Sequence, residues 1–306
     1  MVSAVGLGLL QLGAFLLGAP LLLGVIGRVK AFFGGRTGPP LLQPYRELLR
    51  LARKGAVFSR TTTWVFRAGP TVALAAVLAA GLLLPMGAPA ATVRFGGDFI
   101  LFAYLLALAR FATVLAALDT GSSFEGMGAA REATFSALAE PALFLGFVSL
   151  ARSTRSLDLS HMLGAGLAPV WWTDGPALLL VGLAIFAVAL AENARVPVDD
   201  PATHLELTMI HEVMVLDHSG PDFALIQYGA SLKLYLFGAL IVRLALGALA
   251  VDPWLLFLAF LGGQLVFAIL VGAVESTMAR LRLVRVPQLL IGASALSAFA
   301  LVLLLR

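Results

Sequence analysis

Eight stretches of this chain are long and apolar enough to cross a bilayer, and they limit its fold before any single residue is considered. A spanning helix needs about 20 mostly apolar residues. Such stretches lie at 4–27, 68–86, 99–118, 133–151, 175–191, 224–250, 254–274 and 287–305. Inside lipid every backbone polar group must be bonded within the protein. The expectation is therefore an all-α, polytopic integral membrane protein with about eight transmembrane helices, forming one membrane domain over 1–306. Charged residues make up 12% of the chain, against about 25% in soluble proteins, which excludes an ordinary water-soluble enzyme. The first stretch has no basic leader and outruns the about 7–15 apolar residues of a signal peptide, so it reads as a retained helix.

The loops give an expected orientation. Fourteen Lys and Arg residues belong to loops 28–67, 119–132, 192–223 and 275–286, against four on the other side (Arg94, Arg152, Arg155 and Arg306). Positive residues accumulate in the cytoplasm. Both termini are thus expected outside a bacterial or archaeal cytoplasmic membrane, with those four loops inside. In the first loop, 41–56 reads as an amphipathic helix. Leu42, Tyr45, Leu49 and Ala52 form one stripe, and Arg46, Arg50 and Lys54 another. Such a helix lies in the headgroup layer or offers a docking surface. The membrane accounts for the basic loop, and no nucleic-acid partner is expected.

An ionisable side chain within a span is a functional candidate by default. There are four: Arg110, Glu140, Lys233 and Arg243. Arg243 is close enough to its span's outer end to snorkel. Glu132, Ser136 and Glu140 recur at i, i+4, i+8 and share one helical face, a file suited to proton movement. The alternative is a Glu140 held by Arg110 or Lys233. Loop 192–223 is the densest charged stretch. Asp200-Pro201 reads as a helix start, Leu205, Met209, Val213 and Leu216 as that helix's apolar stripe, and Ser219 with Asp222 as a cap on the sixth span. His204 and His211 are too far apart for adjacent metal ligands and no HExxH occurs, so no metal is expected. With no cysteine, the chain has no thiolate ligands for an iron–sulfur cluster, and redox electrons would travel in another subunit.

Two loops carry a resemblance. Arg36-Thr37-Gly38-Pro39-Pro40-Leu41-Leu42-Gln43-Pro44 and Glu192-Asn193-Ala194-Arg195-Val196-Pro197-Val198-Asp199, with Glu206 downstream, resemble the complex I membrane subunit that forms the quinone chamber (known as 1, or H). Ser122–Gly128, Arg131-Glu132, Ala139-Glu140-Pro141 and Thr203–Glu212 resemble its relatives in group 4 membrane-bound hydrogenases, the formate hydrogenlyase subunit 4 branch. The resemblance runs over all eight spans. In the complex I pattern acids occupy the positions of Ala202 and His204, with glycine where Thr203 stands. Losing those acids favours a hydrogen-evolving relative that need bind no quinone.

The resemblance implies a fold like that of the complex I membrane subunit. It also implies partners: hydrogenase large and small subunits, a ferredoxin-like iron–sulfur subunit, and antiporter-like membrane subunits. Nickel–iron and iron–sulfur cofactors would sit in those partners and none in this chain. Arg36, Gly38, Pro39, Gln43, Pro44 and Arg46 would form a docking loop. Glu192, Arg195, Asp199, Glu206 and Glu212 would sense redox events in the docked module. Glu132, Glu140 and Lys233 would pass them on as proton movement or altered pairing. The chain itself would be non-catalytic. Alternatives are a quinone-binding complex I-type subunit, a purely structural anchor, and a stand-alone permease; against the last, no pair of broken helices in matching halves is evident.

Overall fold

The computed structural model describes residues 4–87, 90–164, 166–199, 209–247, 249 and 252–305. In chain order its helices are α1 (Ala4–Phe33), α2 (Gln43–Ala52), α3 (Trp64–Leu83), α4 (Asp98–Asp119), α5 (Ser123–Thr154), α6 (Leu159–Met162), α7 (Leu167–Glu192), α8 (Gly220–Leu246), α9 (Pro253–Thr277) and α10 (Val286–Leu303). No strand occurs among the described residues. Eight of these elements are long and apolar enough to span: α1, α3, α4, α5, α7, α8, α9, and α10 with the 3-10 turn before it. The protein is a multi-pass all-α membrane protein.

α8 is the most enclosed span. Around it α3 packs on α4, α1 on α9 and α8, and α5 on α7 and α10. Two sets of loop contacts close the ends. At the basic end, the Asp119 carboxylate at the close of α4 accepts from the Thr63 amide before α3, at 2.7 Å, and the Ser219 hydroxyl accepts from the Val57 amide at 3.1 Å. At the opposite end, Asp98 takes the Leu159 amide at 2.7 Å and Gln11 takes the Met86 amide at 3.2 Å.

Several local expectations shift. α5 begins at Ser123, ten residues inside what reads as loop and span start at 133, because its polar first turns find partners. The Asp217 amide donates to Glu125 at 3.0 Å, and Arg131 donates to the Met209 carbonyl at 2.8 Å. α7 begins at Leu167 rather than 175 and continues through a kink at Asp174 (φ −128°, ψ 27°). α2 ends at Ala52, and it turns Gln43, Tyr45, Glu47 and Leu48 inward while Leu42, Leu49 and Ala52 stay exposed. The helix expected from Asp200-Pro201 is not continued in the described part: residues 209–211 are irregular and Glu212–Val215 form a 3-10 turn. Met209 and Val213 are buried, but Leu216 is 50% exposed. Asp200, Pro201, His204, Leu205 and Glu206 lie outside the described residues. Ser219 spends its hydroxyl on Val57 instead of capping α8. Arg243 does not snorkel. It is 2% exposed, enclosed near the loop before α7, where its Nη2 would lie 3.4 Å from a Cβ added to Gly164.

Candidate functional site

A cavity of about 380 Å³ opens at the basic end of the bundle, walled by α3, α4, α8 and the segment after α7. One wall is apolar, with Leu23, Pro70, Leu74, Val77, Met214 and Ile226. The other carries Arg110, Glu132, Glu192, Arg195, His211, Glu212 and Lys233. So many ionisable groups on one wall make it the candidate site.

Three strings of ion pairs meet at this wall. The first runs through the spans. Arg110 of α4 grips Glu140 of α5 with Nη2 and Glu192 of α7 with Nη1, both at 2.5 Å, and Lys233 of α8 holds the other Glu192 oxygen at 2.7 Å. Four helices thus supply alternating charges that sum to zero when all are ionised. The second string starts at Glu132, whose Oε2 is 3.1 Å from His211 Nε2. His211 Nδ1 faces Asp199 Oδ2 at 3.8 Å, and Arg280 takes Asp199 Oδ1 at 2.8 Å. The third joins Lys30 of α1 to Glu275 of α9 at 2.8 Å, and Glu275 to Arg195 at 3.2 Å.

The first string leaves the cavity sideways. Glu140 is 45% exposed at its side chain. It faces an open groove of about 560 Å³ between α4 and α5, with Tyr104, Phe111 and Ser136 beside it. Along α5 the Ser136 hydroxyl donates to the Ala133 carbonyl at 3.1 Å, and Ser136 lies beside Glu132 in one hollow and beside Glu140 in the lateral groove. Glu140 joins the cavity through Arg110.

Of the residues singled out from sequence, Glu132, Glu192, Arg195, Glu212 and Lys233 line the cavity. Asp199 lies just behind it on His211, where it also takes the Ile210 amide at 3.0 Å. Arg195 and Asp199, four apart, have separate ionic partners in Glu275 and Arg280. The loop expected to dock a partner lies beside the cavity and does not line it. Arg36 and Arg46 are exposed, while Pro39, Gln43 and Pro44 line a third hollow of about 360 Å³ between α1, α2 and α8. That hollow shares Leu23, Gln227 and Ser231 with the cavity. Gly38 lies against α1, where an added Cβ would come within 2.7 Å of Ala31.

Sequence reasoning missed Glu275, Lys30, Arg280 and the role of His211. Glu275 had a signal, being the sole acid between 253 and 286. Its side chain is fully buried, so it needs both of its cations.

Outside the spans, burial as the largest influence disfavours the charged form of His211, but the Glu132 and Asp199 carboxylates outweigh it and hold its pKa up at about 10. Asp199 is held below the usual carboxylate range: burial opposes this, while His211, the Ile210 amide and Arg280 prevail. His218 goes the other way. Its ring stacks on Phe66 (3.9 Å, 6°), and burial lowers its pKa to about 4. A folded value below the ordinary 6.5 means that His218 contributes stability above pH 6.5, lost as pH falls toward 4. Thermal unfolding of the detergent-solubilised protein should show that decline. His218→Phe, which keeps the stack and removes the proton site, should flatten it over that window.

The family profile described as NADH dehydrogenase matches residues 7–306. Formate hydrogenlyase subunit 4 of Escherichia coli (strain K12) is 32% identical over 286 residues, 89% of each chain. Hydrogenase-4 component C of the same organism is 34% identical over 230 residues, 74% of this chain and 70% of its own. The H chain of the NADH-quinone oxidoreductase of Anaplasma phagocytophilum (strain HZ) is 28% identical over 72% of this chain and 69% of its own. In fold, the chain matches a component of the membrane-bound sulfane sulfur reductase, an archaeal respiratory membrane complex. The TM-score is 0.83 at 19% identity, over 98% of this chain and 99% of that one.

Proposed function

The chain belongs to the NADH dehydrogenase family, and we propose that it is the membrane subunit that couples a docked hydrogenase-type module to charge movement in the bilayer. The observation that carries this reading is the first ion-pair string, which leads from the cavity wall to a half-exposed Glu140 on the lateral groove. Hydrogenase large and small subunits and a ferredoxin-like iron–sulfur subunit would dock on the basic end, bringing the nickel–iron and iron–sulfur groups. Antiporter-like membrane subunits would cover the α4–α5 groove, where a carboxylate facing lipid costs several kcal/mol. The basic end would face the cytoplasm, with both termini outside, in keeping with the fourteen-to-four division of Lys and Arg.

Redox change in the docked module alters the charge beside Arg195, Asp199 and Glu212. The response passes through Glu192, Lys233 and Arg110 to Glu140. The magnitudes are compatible. Moving one charge across 100 mV takes about 2.3 kcal/mol, and a pKa shift of about two units supplies that, within reach of buried pairs.

Glu140→Gln tests the reading in inverted membrane vesicles of the assembled complex. The expected result is normal assembly and hydrogen turnover with the proton gradient reduced at least about tenfold. An unchanged gradient leaves only the scaffold. A quinone headgroup in the cavity is the second reading, favoured by its apolar wall and the adjoining hollow beside α2. Competitive inhibition of turnover by a quinone analogue would support it.

A further inference from the structure

The cavity reading leaves one group on its wall without a task. His211 is a histidine with a carboxylate at each ring nitrogen, one from α5 and one from the segment after α7. We propose that His211 is a positioning residue that acts as a fixed cation, stapling the segment after α7 to α5 and keeping Glu132 ionised beside the first ion-pair string. This rests on the coupling reading, because it identifies the joint between the sensing loop and the spans.

The chemistry of the ring argues for it. At 3.1 and 3.8 Å the two carboxylates are within ion-pair reach of the ring without a hydrogen bond to either nitrogen, so what holds them is charge, which the imidazolium carries and the neutral imidazole lacks. Asp199 has a second cation in Arg280, but Glu132 has no easy substitute for His211. The Glu132 and Asp199 side chains are almost wholly buried, and His211 is the ion-pair partner of Glu132 among the described residues. Lys233 is nearby, but its ammonium is on Glu192. An unpaired buried carboxylate is expelled from its charged form, so a neutral ring at 211 would protonate Glu132.

Every element around His211 contributes to this balance. α5 brings Glu132, with Arg131 on the Met209 carbonyl. The segment after α7 brings Asp199, which also takes the amides of Ile210 and His211. Arg280, beyond α9, sits on Asp199. Glu192 and Lys233 line the same cavity as Glu132, and Glu212 adjoins the ring in sequence. The carboxylates on the two ring nitrogens outnumber the cation between them, which agrees with the raised proton affinity of His211.

Dicyclohexylcarbodiimide modifies protonated carboxyl groups in apolar surroundings and tests the proposal without any gradient or turnover. Membranes containing the assembled complex are treated at pH 7, and Glu132 modification is read by peptide mass spectrometry. Wild-type Glu132 should stay unmodified. His211→Gln should raise its modification about tenfold for each unit by which its pKa rises, and His211→Lys, which restores a cation, should return it toward the wild-type level. Modification of Glu132 in the wild type, or none in His211→Gln, overturns the proposal. If His211→Gln fails to accumulate, His211→Lys decides: a protected Glu132 supports the staple and a modified one overturns it. The Glu140→Gln gradient experiment fails or succeeds independently, so loss of the coupling reading and loss of the staple are separate results.

Discussion

Glu192→Gln is expected to lower stability by about 3–5 kcal/mol, the cost of leaving buried charges without their counter-ion, and to abolish any coupling along with it. Glu192 is the one acid shared by Arg110 and Lys233, at 2.5 and 2.7 Å. The side chains of all three are at least 87% buried. Glutamine fits the space but brings no charge, so Lys233 is left in the bundle interior without its ion-pair partner, while Arg110 retains Glu140. The check is the thermal midpoint and the yield of the solubilised complex. Adding Lys233→Met should recover part of the loss, since removing both partners of a buried pair is far milder than removing one. If the two substitutions simply add, the pair does not stabilise as described.

Gly24→Ala should be the other large effect, on assembly rather than coupling. A methyl group there collides with the Leu41 carbonyl, a backbone atom that cannot rotate away. α1 and the segment before α2 approach here closely enough that no side chain fits, and overpacking of this kind costs about 1–3 kcal/mol. The displaced segment carries α2, so trypsin should cut after Arg46 and Arg50 faster in vesicles with the basic end exposed. Gly13→Ala on the same helix, where nothing lies within 4 Å, should leave cleavage unchanged.

The spans were legible because bilayer crossing is written in local composition, and the fold class followed from that alone. Pairing was legible only in part. Arg110 was open as a partner of Glu140, thirty residues away, and the two do pair. Its second partner Glu192, eighty-two residues away, was not foreseen, because no periodicity within one helix signals a partner on another. The start of α5 was hidden for the same reason. Glu125 and Arg131 look like loop until Asp217 and Met209 are seen to satisfy them. Met209 and Val213 were correctly placed inside, yet the chain buries them from an irregular stretch and a short 3-10 turn, since burial depends on neighbours and not on helix period. Arg243 shows the converse: composition put it within reach of water, while packing enclosed it.

That enclosure bears on leakage. Arg243 is ten residues beyond Lys233 on α8, about 15 Å along the axis. Between them Leu234, Leu236, Phe237 and Leu240 are almost wholly shut off from solvent. An ion admitted at the basic end meets a greasy seal and then a positive sentry that repels protons and sodium alike. The expected consequence is that an imposed voltage drives no current through the isolated chain from one face of the membrane to the other.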